Sequence, residues 1–188
     1  MSKAETKSGH FHAVRFYEDS HSLCRIVSGF IAEGLALDQP ALIIGTRTHI
    51  IQIEQNLRAA TIDVDTLKKK GDLLLLDAHQ TLATFMVHGV PDPDFFKAAA
   101  TSALDQVAHG RKKTIRAYGE MVDVLWKEGN TSGAIKLEML WNQLANTHDF
   151  SLLCGYAMGN FYKDASILEV CQHHTHTVAD DGQVSLVS

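Results

Sequence analysis

His12-Ala13-Val14-Arg15-Phe16-Tyr17-Glu18-Asp19-Ser20-His21-Ser22 decides the architecture. Through Tyr17 it has the aromatic and β-branched character of a strand. Ser20 then offers a helix cap, and Leu23, Ile26, Val27, Phe30 and Ile31 recur at helical spacing, with Gly34 as the expected stop. A strand turning sharply into a helix is where a nucleotide-binding domain places its phosphate loop. Such a loop needs glycines, so that backbone N–H groups can approach, and usually a lysine. This turn holds neither. Glu18 and Asp19 instead carry negative charge to the helix N-terminus and satisfy its dipole themselves. Neither G-x-x-x-x-G-K-S/T nor G-x-G-x-x-G occurs anywhere in the chain. Hydrolysis of ATP or GTP in this pocket is therefore not expected; a bridging magnesium ion is the one route to a nucleotide here.

Further along, the same alternation repeats. Ala41-Leu42-Ile43-Ile44-Gly45, Leu73-Leu74-Leu75-Leu76-Asp77, Thr114-Ile115-Arg116-Ala117-Tyr118 and Phe150 to Tyr156 read as strands, several of them apolar throughout. Continuous apolar runs suit strands covered on both faces. Helices are expected from Thr48, over Thr81 to Val87, after Asp92-Pro93, from Asn130 or Thr131, and from Asp164 through Cys171. The connections are too long for hairpins. The fold class is therefore α/β: three layers, a mostly parallel sheet of at least five strands, and helices on both faces. One domain is expected over about residues 11–178, with 1–10 a flexible lead and 179–188 a fraying tail.

The composition agrees. With 188 residues, 45% apolar and 21% charged, the chain suits one domain with a real core. A net charge of -5 without a basic stripe argues against direct nucleic-acid binding. No signal-peptide h-region and no membrane-length apolar run are visible. Three cysteines, Cys24, Cys154 and Cys171, fit reduced thiols in the cytoplasm.

In open parallel sheets, ligands sit beyond the carboxyl ends of the strands. That edge should hold Tyr17-Glu18-Asp19, Thr46-Arg47, Asp77-Ala78-His79, Tyr118-Gly119-Glu120 and Tyr156. By position, the expected ligand contacts are Tyr17, Glu18, Tyr118, Glu120 and Trp141, with His12 and His174 as outlying candidates. Glu120 has three open roles: ligand contact, structural tie, or general base. Trp141 stacks on a ligand or, from its helical spacing with Leu137 and Leu144, belongs to the core. Cys171-x-x-His174 has the spacing of a zinc half-site, but no second element of that kind completes four ligands, so neither a metal nor a cofactor is expected. There is no G-x-S-x-G elbow, and a nucleophilic Cys24 or Cys154 needs a base that sequence does not reveal.

The ordered motifs resemble one family. His12 to Asp19, Phe30-Ile31-Ala32-Glu33-Gly34-Leu35, Pro40 to Thr46, Gly71-Asp72-Leu73 with Leu76-Asp77-Ala78, Arg116 to Asp123, Leu153-Cys154-Gly155-Tyr156 and Val170-Cys171-Gln172-His173-His174 are similar to the MEDS domain, the methanogen/methylotroph DcmR sensory domain. The resemblance implies a relative of the KaiC and RecA ATPase core that has lost its Walker A loop. It also implies sensing of a small organic, hydrocarbon-derived molecule and relay to a transcriptional or histidine-kinase output. The chain shows no DNA-binding helix-turn-helix and no transmitter domain, so a stand-alone sensory domain is expected, acting through a signalling partner or through self-association. Two other functions remain open at this point: an interaction scaffold with a vestigial pocket, and a divergent nucleotide-dependent enzyme using Glu120.

Overall fold

The opening stretch folds as strand β1 (His12–Tyr17) and helix α1 (Ser20–Ala36) in a computed structural model that describes residues 11–160 and 166–187. Asp19, one residue earlier than expected, caps α1: its carboxylate accepts the N–H groups of His21 and Ser22. The chain continues through β2 (Ala41–Gly45), α2 (Arg47–Ala59), α3 (Val64–Lys70) and β3 (Leu73–Asp77). Then come α4 (Ala78–Ala83), a small hairpin of β4 (Met86–Val87) and β5 (Val90–Pro91), and α5 (Pro93–Ala108). The remainder is β6 (Ile115–Gly119), α6 (Met121–Lys127), α7 (Thr131–Leu144), β7 (Phe150–Ala157), α8 (Ser166–Gln172), β8 (His176–Val178) and β9 (Val184–Leu186).

Seven strands form one sheet in the order β3-β2-β6-β7-β1-β8-β9, parallel except for the antiparallel β8–β9 pair. From β1 the chain moves out to β2 and β3, then returns through β6 and β7 and passes β1 to reach β8. Right-handed crossovers put the outward helices on one face and the returning helices on the other. Side chains follow this by alternation along each strand. Ala13, Ile43, Tyr118 and Leu153 pack under α1 to α3 with Leu23, Val27, Ile31, Ile53 and Leu57. Val14, Leu42, Ala117, Leu152, Cys154 and Tyr156 pack under the opposite helices with Phe96, Leu104, Leu137 and Trp141. The outgoing loops of β2 and β6 leave toward opposite faces, and so do those of β1 and β7. These are the points where such a sheet opens a crevice.

The expected starts at Asp92-Pro93 and Asn130 are present, with Asp92 and Asn130 as side-chain caps. Other expectations are corrected. Gly34 does not end α1, which runs to Ala36; it lets the stem of Arg116 lie against the helix, where a Cβ would stand 2.1 Å from Arg116 Cγ. Residues 81–87 are not one helix, since Thr84 ends α4 and Met86 starts the hairpin. Helices α3 and α6 were not anticipated. Within the expected tail, Val184–Leu186 form β9. Left uncovered, β1 would be an open edge; instead it pairs with β8, and β9 pairs with β8. Arg15 fixes this hairpin through Val178 O (3.1 Å) and the Asp180 carboxylate. The expected lead at residues 1–10 and the Asp164 cap lie outside the described residues. Among the described residues, no helix is long and apolar enough to cross a membrane.

Two glycines of α1 test this packing. Gly34→Ala should lower unfolding stability by about 1–3 kcal/mol, because the Arg116 stem must move. Gly29→Ala, with nothing within 4 Å of its Cβ, should raise stability by about 0.5–1 kcal/mol from helix propensity. Urea unfolding of the two variants measures the difference in sign.

Candidate functional site

Glu120 follows the last residue of β6 and is 1% exposed. A desolvated carboxylate must find donors, and this one has three. The Thr46 N–H, at the end of β2, donates to Oε1. His49 Nδ1, on the first turn of α2, donates to Oε2 at 2.6 Å. The Tyr118 hydroxyl, on β6 itself, donates to the same oxygen at 2.7 Å. Burial alone would raise the Glu120 carboxyl, but the hydrogen bonds and charge of His49 and the Thr46 bond outweigh it and hold it below the ordinary range. Glu120 is thus an anionic tie between β6 and the β2–α2 turn. Burial, followed by the neighbouring carboxylate, keeps Tyr118 a protonated donor.

A second tie closes the other crevice. The Tyr17 hydroxyl, at the end of β1, donates to Asp123 Oδ2 at 2.8 Å. Asp123 Oδ1 accepts the Ala157 N–H from the end of β7 at 2.9 Å. Lys127, one turn further along α6, pairs with Asp123 at 2.6 Å and donates to the Tyr17 oxygen at 3.1 Å. Desolvation, then Asp123, raises the Tyr17 hydroxyl far above its usual range. The rings of Tyr17 and His49 meet edge to face at 6.1 Å, so the two ties form one polar layer beneath the strand ends.

Beside this layer, the N-terminal halves of α1 and α2 enclose a cleft of about 510 Å³. Ser20, His21, Cys24, Thr48, His49 and Gln52 are among its lining residues, with Ile51 and Gln55. Because Nδ1 of His49 is engaged by Glu120, Nε2 is the ring nitrogen left for a ligand. Among the described residues, no lysine or arginine lines the cleft. The Cys24 thiol is pushed up to about 12, mainly by burial and then by the Glu120 and Asp19 charges. It is a protonated wall group near neutral pH, not a nucleophile. The arrangement offers hydroxyl, amide and imidazole groups beside Cys24 and Ile51.

Of the residues expected from sequence, Tyr17, Tyr118 and Glu120 come together in the polar layer. Glu18 is exposed on the turn. Trp141 does not reach the site: it is core, edge to face with Phe96 at 5.0 Å and with Phe150 at 5.8 Å. Phe150 opens β7, so this packing belongs to the amino end of the sheet. His12 and His174 do not line the cleft either. Their rings lie 4.2 Å apart on the opposite face, beside Glu138 and Cys154. Sequence reasoning missed His49, Asp123 and Lys127. Extending the strand-end rule by one or two helical turns would have reached each of them.

Fold and site together define a doubly wound α/β domain with a cleft at the carboxyl ends of its strands and no phosphate-loop motif in its sequence. The family model described as the methanogen/methylotroph DcmR sensory domain, MEDS, matches residues 11–175, and the chain belongs to that family of sensory domains. No curated protein matches the chain.

The Glu120 tie has a pH signature. A carboxyl group held low in the folded state contributes its full stability above its unfolded value of about 4.3, and loses it as pH falls through the lower folded value. Glu120→Gln should cost about 1–3 kcal/mol at neutral pH. The variant should also lose less stability than the parent on acidification below about pH 4.3. Equilibrium unfolding across that range measures both effects.

Proposed function

We propose that this sensory domain binds a small, uncharged, hydrocarbon-derived molecule in the cleft between α1 and α2, and passes its occupancy to a regulator or histidine-kinase partner in the cytoplasm. The lack of lysine and arginine among the described residues lining the cleft carries the reading. An anionic ligand would meet neither there, and it would face Asp19 and Glu18 at the turn where phosphates would need donors. An alcohol, aldehyde, amide or small ketone would find hydrogen bonds from His49, Thr48 and Gln52 and apolar contact from Cys24 and Ile51. A volume of about 510 Å³ is ample for such a molecule. The same reading accounts for a KaiC- or RecA-type architecture whose phosphate loop is gone while the crevice is kept. His49 links cleft to sheet: a ligand on its ring acts directly on the Glu120 tie and on β6 behind it.

A thermal-shift screen of small neutral organics against the purified chain tests this. A true ligand at a hundredfold excess over its Kd adds about 2.7 kcal/mol, or roughly 5–10 °C in Tm for a chain of this size. Ser20→Trp, which fills the cleft mouth from an exposed position, should abolish the shift while leaving the unliganded Tm near that of the parent. A screen in which only magnesium nucleotide stabilises the protein would overturn the reading.

A further inference from the structure

His12, Glu138, Cys154 and His174 come from four separate parts of the chain and meet on the face of the sheet opposite the cleft. His12 opens β1, Cys154 lies in β7, Glu138 in α7, and His174 just beyond α8. All four are buried, none more than 6% exposed. Each offers one ligand atom, and the four atoms lie within 4.8 Å of one another. The contacts are short: His12 Nε2 to Glu138 Oε2 at 3.2 Å, His12 Nε2 to Cys154 Sγ at 3.4 Å, Cys154 Sγ to Glu138 Oε2 at 3.6 Å, and His174 Nε2 to Glu138 Oε1 at 3.4 Å. Tetrahedral zinc with ordinary Zn–N, Zn–O and Zn–S bonds has ligand-to-ligand edges of about 3.3–3.7 Å.

The surroundings fix both rings for ligation. His174 Nδ1 lies 2.7 Å from Val170 O. A carbonyl only accepts, so Nδ1 carries the hydrogen. His12 Nδ1 lies 2.8 Å from Asn142 Oδ1, and the Asn142 amide is oriented by its own bond to His173 O at 2.9 Å. His12 Nδ1 therefore also donates. In the neutral rings both Nε2 lone pairs then face the Glu138 carboxylate, acceptor against acceptor, and His174 Nε2 has no hydrogen bond. A divalent cation with one thiolate, one carboxylate and two neutral imidazoles is electroneutral, and each imidazole has the outer carbonyl partner that ligating histidines require. Tyr156 OH donates at 2.8 Å to Glu138 Oε1, the oxygen that His174 Nε2 faces.

We propose that these four side chains form a closed, tetrahedral site for a divalent transition ion, zinc foremost, which fastens α7 and the segment after α8 to β1 and β7. Binding displaces the Cys154 thiol proton and any proton held on an imidazole, and all four positions are filled by protein, as in a structural site. The Cys171-x-x-His174 spacing is not the basis: Cys154, not Cys171, stands beside His174.

Chelator-treated full-length chain, titrated with Co²⁺ and then Zn²⁺, tests the proposal. One equivalent of cobalt should produce tetrahedral d–d absorption with a thiolate-to-metal band. Zinc should bleach both and raise Tm. Cys154→Ser should lose the thiolate band and Cys171→Ser should keep it. Asn142→Ala retains all four ligands and should bind about 10–100-fold more weakly, which keeps the test open if Cys154→Ser does not fold. Ser20→Trp should take up metal like the parent, so a failed cleft and a failed metal site are separately visible. Wild-type protein that gives no cobalt band and no zinc-dependent Tm, or a thiolate band that survives Cys154→Ser, would overturn the site.

Discussion

A carboxylate without water has to be held by something; Asp123 is one such group, tied to Tyr17 and Ala157, and two others sit on either side of the sheet. Glu120 and Glu138 are 1% and 0% exposed and act on opposite faces of the same sheet. Leaving either unpaired would cost several kcal/mol, a large part of the stability of any domain. Each therefore dictates its neighbours. Around Glu120 the donors are a strand-end N–H, an imidazole and a tyrosine, and they lock the β2–α2 turn to β6. Around Glu138 a tyrosine and a thiol donate, and two imidazole Nε2 atoms lie against it. The first set leaves a cleft beside it; the second is sealed. The difference follows from position, since Glu120 stands at a switch point of the sheet and Glu138 stands mid-helix over its centre.

The architecture was largely legible because it depends on local signals. Apolar strands, Asp92-Pro93 and Asn130 each declare themselves within a few residues. What escaped was non-local. Gly34 reads as a helix stop until the Arg116 stem is seen lying on it from a strand far along the chain. The polar end of the chain reads as a tail until the unpaired edge of β1 is considered. Short α6 escaped because Glu120-Met121-Val122 continues the apolar character of β6 without a cap signal.

The site was legible to the extent that topology defines it. Tyr17, Tyr118 and Glu120 follow from the strand-end rule alone. His49 sits on the helix after the strand and needs that rule carried one turn further. Trp141 takes the core alternative, because helical spacing marks an inward face but not which end of the sheet it meets. The four-residue cluster was beyond reach: His12 and Cys154 are 142 residues apart, and the nearby Cys171-x-x-His174 spacing points to the wrong cysteine.

Strand β1 meets all the features that matter to sensing. His12 at its start belongs to the sealed cluster, Tyr17 at its end belongs to the layer beneath the cleft, and Arg15 between them grips the terminal hairpin at Val178 and Asp180. A strand buried on both faces, hydrogen-bonded to β7 along its whole length and to β8 over part of it, does not bend to carry a signal. It fixes the places where other elements attach. Of these, the hairpin holds on by little backbone pairing: β9 is exposed, and it pairs with β8 alone. Side chains supply the rest. The Arg15 guanidinium also contacts Ser22 on the first turn of α1, and Arg25 of the same helix holds the Asp180 carbonyl, so hairpin and helix are tied to one another.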